Sequence, residues 1–375
     1  MEEPTTTDNT LSSPQIIQND CRFHGSGGEF FGIWIVNLLL TIVTLGIYSA
    51  WATVRTRKYF YRNTELAGSR FDFHGKPIPI LIGRIIGISI FGLYSFGAHI
   101  HGLIPLAVYV LVILAFPWLF AKSWTFRLRN TSWRGIHFDF RGQVGDLYRR
   151  LGLYILVFAA LQGLFLYFAI RPSEHILWVL VGSLILILIL IPLIYSALID
   201  TAINNSYIGN DKFELLNSQS QWVRLFWKTV LTYASLLAIA SGGVWFLVNS
   251  DLESGSLILP FMIIYLLVLL AMIVPLGLWQ VGKLNFLFGN TSINGTSFNA
   301  GLKVNEYIKI LFTNMLITAF SLGLAYPWAA VRIARYQIEH IGLFGDLDNF
   351  SGTKLKDRNA LGEEVTSAFD MEIGL

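Results

Sequence analysis

The residues most able to do chemistry in this sequence are charged side chains within or beside long apolar runs. Arg84 lies four residues into one such run, and Asp200 ends another, one turn before Asn204. A charge within hydrocarbon costs about 2.5–3.5 kcal/mol on insertion scales, so residues of this kind often line a polar cavity or path between helices. The opposing interpretation is structural: Arg84 reaches the cytoplasmic headgroups and Asp200 caps a helix end.

Basic residues beside aromatic ones form a second group of candidates. Arg55 and Lys58 flank Tyr59 near one end of the chain, and a similar pattern recurs near the other end. Basic side chains at this level can grip anionic lipid headgroups, or they can do no more than orient the chain in the membrane. The sequence therefore predicts ligand or lipid contact in the cytoplasmic leaflet at Arg55, Lys58, Arg84, Asp200, Arg332 and Arg335.

Catalytic, metal and cofactor motifs are not found. The sequence has no phosphate loop, zinc-protease helix or nucleophile elbow. His24 and His74 occupy the same position of an internal repeat, but the next copy carries Arg141, which cannot replace a metal ligand. His99 and His101 could bind a metal on one strand-like face, although a wetted turn is the preferred interpretation. We therefore expect no enzyme activity, no cofactor and no metal.

Composition places these residues in a membrane protein. Hydrophobic types make up 54% of the 375 residues, charged types make up 14%, and the mean hydropathy is +0.56. An average soluble domain has roughly 25% charged residues, so the composition argues against an ordinary cytosolic enzyme and excludes disorder for most of the chain. A net charge of +3 is too small to suggest nucleic-acid binding. The single cysteine, Cys21, excludes an intrachain disulfide and a cysteine-based zinc site.

Eight apolar runs approach the length of about 20 residues that a helix needs to span a bilayer. They cover residues 31–51, 80–98, 103–121, 151–170, 176–199, 230–248, 257–278 and 308–328. Arginine and lysine are concentrated in the long loops that follow residues 51 and 121, whereas the short turns between runs hold Arg171 with Glu174, Asp251 and Glu253. Because basic residues accumulate on the cytoplasmic side, the long loops are predicted to face the cytoplasm.

The long loops contain an internal repeat. Two copies are related by a shift of 67 positions without a gap: Asn63-Thr64, Gly68, Phe71-Asp72-Phe73 and Gly75 become Asn130-Thr131, Gly135, Phe138-Asp139-Phe140 and Gly142. A fainter copy follows Asn290, and a weaker one follows Asn205. Alternating Phe-Asp-Phe after a glycine turn predicts a short hairpin with one apolar face. The fold is thus predicted to reuse one unit of a cytoplasmic hairpin and two spans.

The chain ends form a second matched pair, which leaves the number of spans open. Leu45-Gly46, Trp51-Ala52, Val54-Arg55, Lys58 and Tyr59 recur as Leu322-Gly323, Trp328-Ala329, Val331-Arg332, Arg335 and Tyr336. If both end segments cross the membrane, the protein has eight spans and Arg332 and Arg335 lie outside. If both are re-entrant, it has six spans and both termini are cytoplasmic. Eight spans is the plainer interpretation, because each segment is long enough. The predicted fold is an all-α polytopic membrane protein, a bundle of about eight helices with short cytoplasmic β-hairpins in repeated units.

Several of these motifs carry a resemblance to a known family. The run of residues 23–31 (FHGSGGEFF), the segment 37–59, the run Asn63-Thr64-Glu65-Leu66 and the run Phe71-Asp72-Phe73-His74-Gly75 resemble the YjgN-like bacterial inner-membrane proteins. The similarity covers residues 22–350. It implies a multi-pass protein of the bacterial inner membrane, and it implies no catalytic or binding residue.

Two classes of function remain open at this stage. In the first, the protein transports or binds a small molecule or lipid through the bundle, as repeated two-span units often do. In the second, it is a non-transporting membrane scaffold or regulator that acts through its cytoplasmic hairpin layer. The expected partners are the bilayer and its anionic headgroups. The expected domains are a disordered polar tail (1–21), a membrane domain (22–350) and a flexible C-terminal tail (351–375).

Overall fold

The computed structural model describes residues 18–170, 176–216, 219–249 and 258–345. The helices in these ranges are α1 (Gly27–Val43), α2 (Ser49–Arg62), α3 (Pro77–Phe96), α4 (Ile104–Arg129), α5 (Val144–Ile170), α6 (Ile176–Asn204), α7 (Gln219–Val248), α8 (Ile258–Gly289), α9 (Val304–Phe320) and α10 (Tyr326–Glu339). The strands are β1 (Gln18–Phe23), β2 (Thr64–Leu66), β3 (Ser69–Phe73), β4 (Thr131–Trp133), β5 (Ile136–Phe140), β6 (Ser206–Ile208), β7 (Asp211–Leu215), β8 (Thr291–Ile293), β9 (Thr296–Ala300) and β10 (Ile341–Phe344).

The ten described strands form one closed antiparallel barrel. Each predicted hairpin is present (β2–β3, β4–β5, β6–β7 and β8–β9), and each pairs with the next along the chain. The fifth unit is split between the two ends of the described chain, where β1 pairs with β10 on one side and with β2 on the other. Closure leaves no unpaired sheet edge, which is why five very short hairpins suffice to make a stable sheet.

The barrel corrects the prediction of an all-α bundle with short β-hairpins in repeated units, because the hairpins pair with one another into a closed sheet. The repeated motif was enough to predict the hairpins. Closure of the hairpins into a barrel depends on β1 and β10, whose sequences match the repeat poorly. β1 has Cys21 where the other units have phenylalanine, and β10 follows His340 where the others follow asparagine. Strand β1 also includes residues 18–21, which the sequence analysis placed in the polar tail.

The helices leave and re-enter the barrel in a ring. Each helix packs against the next one along the chain from α1 to α10, and α10 packs against α1, which closes the ring. Each hairpin therefore connects the end of one helix to the start of the next, and all helix pairs project from the same rim. This order places the basic helix ends around the barrel, on the face predicted to be cytoplasmic.

The prediction of eight spans is wrong, because the two end segments are helical hairpins that return to the barrel. Helix α1 starts just after β1 and α2 ends just before β2, and these two strands are hydrogen-bonded to each other. Both ends of the α1–α2 segment thus lie on one face of the membrane. The same holds for α9 and α10, which connect β9 to its neighbour β10.

A tight turn breaks each of these end segments in the middle of its apolar run. Leu45 and Gly46 have φ values of 50° and 93°, and Leu322 and Gly323 repeat them at 52° and 90°. The amide of Gly46 donates to the carbonyl of Thr41 (2.8 Å), which closes the helix as glycine turns commonly do. The leucines at the two tips are 94% and 93% exposed, so the tips suit hydrocarbon rather than water.

Five described helices are long and apolar enough to span a membrane: α3, α4, α6, α7 and α8. Helix α5 has 27 residues and leads from the barrel towards α6, which returns to it. A segment that leaves one face of the membrane and returns to it must cross an even number of times. The number of described helices able to span the membrane thus differs from the eight spans predicted. The connections at 171–175 and 250–257, and the predicted tails at 1–17 and 351–375, lie outside the described residues.

Candidate functional site

The Asn-Thr motif of the repeat caps the helix that leads into each hairpin. Asn63 Nδ2 donates to the Tyr59 carbonyl (2.9 Å), and Thr64 Oγ1 donates to the Phe60 carbonyl (2.8 Å). The same pair of bonds follows α4, α6 and α8. These side chains satisfy carbonyls that a helix end leaves unbonded. The motif therefore fixes where each hairpin leaves its helix.

The Phe-X-Gly end of the motif, present at the ends of β1, β3 and β5, leads the chain from the strand into the next helix. A Cβ atom on Gly75 would lie 2.5 Å from the Phe73 ring, and one on Gly142 would lie 2.4 Å from the Phe140 ring. Phenylalanine folds over the backbone two residues later, and only glycine leaves room for it. The conformation turns the chain sharply into the next helix.

The residue between the phenylalanine and the glycine of this motif forms a hydrogen bond to the neighbouring hairpin. His24 Nε2 lies 2.8 Å from Glu65 Oε2, and His74 Nε2 lies 2.9 Å from Ser132 Oγ. The third copy uses Arg141, whose Nη2 donates to the Gly209 carbonyl at 2.7 Å. Within the described residues, no group of three or more His, Cys, Asp or Glu side chains is arranged to hold a metal ion.

The aspartate of Phe-Asp-Phe ties the hairpin to the preceding helix. Arg62 donates two hydrogen bonds to Asp72, at 2.9 and 3.1 Å, and Arg129 donates to Asp139 at 3.0 Å. The Arg62 bond holds the pKa of the Asp72 carboxyl below its ordinary value. Because the folded state favours the ionised carboxyl, this stabilisation is present above the ordinary pKa and is lost as the pH falls through the lowered one.

The bore of the barrel holds one apolar cluster made by all five units. Its buried members occupy the same strand position in each unit and are Leu66, Trp133, Ile208, Ile293 and Leu343. Opposite them, four phenylalanines stack in sequence, with ring centroids 6.4, 6.1 and 6.4 Å apart: Phe71, Phe138, Phe213 and Phe298. A passage of this composition is a hydrophobic constriction that disfavours water.

Cys21 takes the fifth position of this phenylalanine series. It pairs in register with Leu66, as Phe71 pairs with Trp133. Burial, with a smaller contribution from Asp20, raises the pKa of the Cys21 thiol to about 11. The thiol is therefore neutral at physiological pH and packs as a small apolar side chain.

Two residues of the predicted contact set lie at equivalent places in the two end hairpins. Arg55 donates to Tyr48 Oη at 3.0 Å and approaches Asn37 Oδ1 at 3.5 Å. Arg332 donates to Thr313 Oγ1 at 2.8 Å and approaches Asn314 Oδ1 at 3.5 Å. Each arginine thus joins the two arms of its own hairpin.

The other members of the set are spread around the ring. Arg84 donates to the hydroxyls of Ser49 and Thr53, so it joins α3 to α2. Asp200 pairs with Arg150 and accepts from Asn204 at 2.7 Å, so it joins α6 to α5. Arg335 donates to the Gly25 carbonyl at 2.8 Å. Lys58 is partly buried on α2. The structure does not bring the six residues together in one pocket.

A site that sequence reasoning missed is an open groove along the α9–α10 hairpin. It has a volume of about 770 Å³ and is lined mainly by apolar side chains, among them Phe60 of α2. Its lining is Phe60, Leu311, Asn314, Met315, Thr318, Ala319, Tyr326, Ala329, Ala330, Ile333, Ala334 and Gln337. The volume falls within the usual range of small-molecule sites, which is about 300–1,000 Å³.

The two amides in this groove are already hydrogen-bonded. Asn314 Nδ2 donates to the Ala329 carbonyl at 3.1 Å, and Gln337 Nε2 donates to Tyr307 Oη at 2.9 Å. An occupant would therefore meet mostly apolar surface. The groove suits hydrocarbon chains better than a polar solute.

The two end hairpins differ at positions that line the groove in α9–α10. Positions in α9–α10 match those in α1–α2 at a shift of 277, so Tyr326 and Ala330 correspond to Ser49 and Thr53. In the first hairpin, the hydroxyls of Ser49 and Thr53 accept hydrogen bonds from Arg84 of α3. In the last hairpin the equivalent side chains line the groove. The loss of the Thr53 hydroxyl at Ala330, and the larger ring of Tyr326 in place of Ser49, were the signal in the sequence that could have revealed it.

Comparison with known proteins identifies the family of this chain. A family model described as "Bacterial protein of unknown function (DUF898)" matches residues 18–368. The chain belongs to this family. It is 25% identical over 373 residues to "Inner membrane protein YjgN" of Salmonella typhimurium, covering 92% of this chain and 93% of that one. It is 23% identical to the protein of the same name from Escherichia coli K12, covering 87% and 89%.

The family assignment confirms the resemblance read from the motifs and the location in the bacterial inner membrane. The five apolar helices fit multi-pass insertion. No solved structure matches the chain. As a member of this family, the chain is a multi-pass inner-membrane protein.

Proposed function

We propose that the protein binds a lipid-like amphiphile within its helix ring. The observation that supports this is the open groove along α9–α10, whose wall is apolar and whose amides are satisfied. The groove follows a hairpin with an apolar tip, so its occupant would enter from the bilayer rather than from water. A hydrocarbon chain is the ligand that this surface favours.

The barrel defines what such a protein would exclude. Its bore is closed by an apolar cluster, so a polar solute meets a hydrophobic constriction at the face predicted to be cytoplasmic. The described spanning helices carry few charges in their apolar stretches. These features disfavour ion-coupled movement of a polar substrate and favour the binding of an apolar molecule held on the membrane side of the barrel.

Filling the groove tests the proposal. Ala330→Trp places a large ring in the lining of the groove, and we expect it to lower the occupancy of a co-purified lipid-like molecule roughly tenfold, a loss of about 1.4 kcal/mol. Native mass spectrometry of the protein extracted with its surrounding lipid measures this occupancy as a retained mass.

The matched control is Ile317→Trp, because Ile317 belongs to the same hairpin but is half exposed and does not line the groove. Unchanged retention in Ala330→Trp would remove the groove from the account. Wild-type protein that carries no lipid-like mass but retains a second polypeptide would support the alternative function, a scaffold that acts through the hairpin layer.

A further inference from the structure

A second cavity lies between α7 and α8, at the ends of these helices nearest the barrel. It has a volume of about 240 Å³ and is lined by Gln221, Arg224, Leu225, Lys228, Gly282 and Phe286. No carboxylate is present among these described lining residues. This notch differs from the α9–α10 groove in being strongly basic.

The two cations of the notch lack protein partners. Arg224 and Lys228 are exposed, and their side chains make no hydrogen bond or ion pair within the described ranges. Three other arginines near the barrel are each paired with a carboxylate: Arg62 with Asp72, Arg129 with Asp139 and Arg150 with Asp200. The notch therefore holds positive charge that the fold does not compensate.

The geometry of the notch is fixed by tight helix packing. Arg224 and Lys228 are four residues apart, so they lie one turn apart on the same face of α7. A Cβ atom on Gly282 would lie 2.3 Å from Leu225 Cδ1, so glycine allows the two helices to approach closely. Phe286 packs edge-on against the buried ring of Trp222, with centroids 4.5 Å apart. Binding would thus require little rearrangement.

The position of the notch along α7 identifies the chemistry of its occupant. The apolar stretch of α7 begins at Val230, two residues after Lys228. Arg224 and Lys228 therefore lie at the depth of the lipid headgroups. Basic pockets between helices on the cytoplasmic side favour anionic phospholipids, whose leaflet carries a negative surface potential. The apolar walls at Leu225 and Phe286 suit the glycerol and acyl portion of a lipid better than a free anion.

We propose that this notch binds the phosphate group of an anionic phospholipid, held by Arg224 and Lys228. The lipid acts as a fixed partner of the α7–α8 pair. The site is separate from the α9–α10 groove, and the inference does not depend on the function proposed for that groove.

The test compares the affinity of the full chain in detergent for phosphatidylglycerol and for phosphatidylcholine by native mass spectrometry. Each basic residue near the membrane surface is worth roughly a fivefold change in affinity. We expect Arg224→Gln/Lys228→Gln to weaken phosphatidylglycerol binding by about thirtyfold and to leave phosphatidylcholine binding unchanged.

The control variant Arg70→Gln/Lys212→Gln removes the same charge from exposed sites on the barrel hairpins, and we expect it to bind phosphatidylglycerol like wild type. Equal loss in both double variants, or no loss in either, would overturn the proposal. Displacement of the lipid by excess inorganic phosphate would assign the notch to a free anion instead. If the double variant does not fold, the single substitutions Arg224→Gln and Lys228→Gln carry the same test, each with about a fivefold loss.

Discussion

Ile293→Asp is expected to prevent the protein from folding, because Ile293 is 1% exposed in the apolar cluster of the barrel bore. An unpaired carboxylate in such a cluster has no hydrogen-bond partner and no water. The expected loss is at least about 4 kcal/mol, which is larger than most single substitutions cause. The heat-resistant fraction of detergent-solubilised protein, measured by size-exclusion chromatography, reports this loss.

The control for this substitution is the residue just before it on the same strand. Ser292 points to the opposite face of β8 because side chains alternate along a strand, so Ser292→Asp is expected to cost no more than about 1 kcal/mol. If Ile293→Asp were as stable as Ser292→Asp, the bore would be solvated, and the barrel could not serve as a seal.

Gly27→Ala is expected to weaken the contact that closes the helix ring. A Cβ atom on Gly27 would lie 2.2 Å from Trp328 Cδ1, where α1 packs against α10. Overpacking of this kind costs about 1–3 kcal/mol. The thermal midpoint of the purified protein is expected to fall accordingly, although alanine favours a helix more than glycine does.

Two comparisons separate this clash from a general effect of glycine replacement. Gly28→Ala meets no atom within 4 Å, so it is expected to be neutral or to stabilise the protein by up to about 1 kcal/mol. In a Trp328→Ala background, Gly27→Ala is expected to lose its penalty. A penalty that persists without the indole ring would contradict the α1–α10 packing.

The repeated hairpins were predictable because their motif is local. Asn63-Thr64 caps the helix before the turn, and Phe73 folds over Gly75 after it. The residues that form this hairpin therefore lie within a single copy of the repeat. The fifth unit was not predictable in this way, because its two strands are far apart in sequence, β10 follows His340 instead of asparagine, and β1 has Cys21 in place of the first phenylalanine of the motif. Closure of the barrel is a long-range property that no single copy encodes.

Whether the two end segments cross the membrane also depends on closure of the barrel. The apolar run 31–51 is long enough to cross, and hydropathy gives no sign of the turn at Leu45 and Gly46. Only the pairing of β1 with β2 forces the segment to return. The matched motifs at the two ends correctly indicated that both segments share one fate.

The candidate sites were harder to predict than the fold. Charge directed attention to Arg84 and Asp200, and the structure gives each a hydrogen-bonding role between neighbouring helices. The α9–α10 groove is made of common apolar residues, which carry no motif. The basic notch combines two unpaired cations, Arg224 and Lys228, in the lining of one cavity, and sequence does not reveal which cations stay unpaired.

The most direct test of the account is the side of the membrane on which α10 ends. In a Cys21→Ser background, single cysteines at Arg70, Glu339 and Ile100 are labelled with an impermeant maleimide in vesicles of known orientation. These positions lie on the β2–β3 hairpin, at the end of α10 and in the turn after α3. The account predicts that the cysteines at 70 and 339 react from the same side and that the one at 100 reacts from the other. Labelling of position 339 from the side of position 100 would contradict the closed barrel and its re-entrant hairpins.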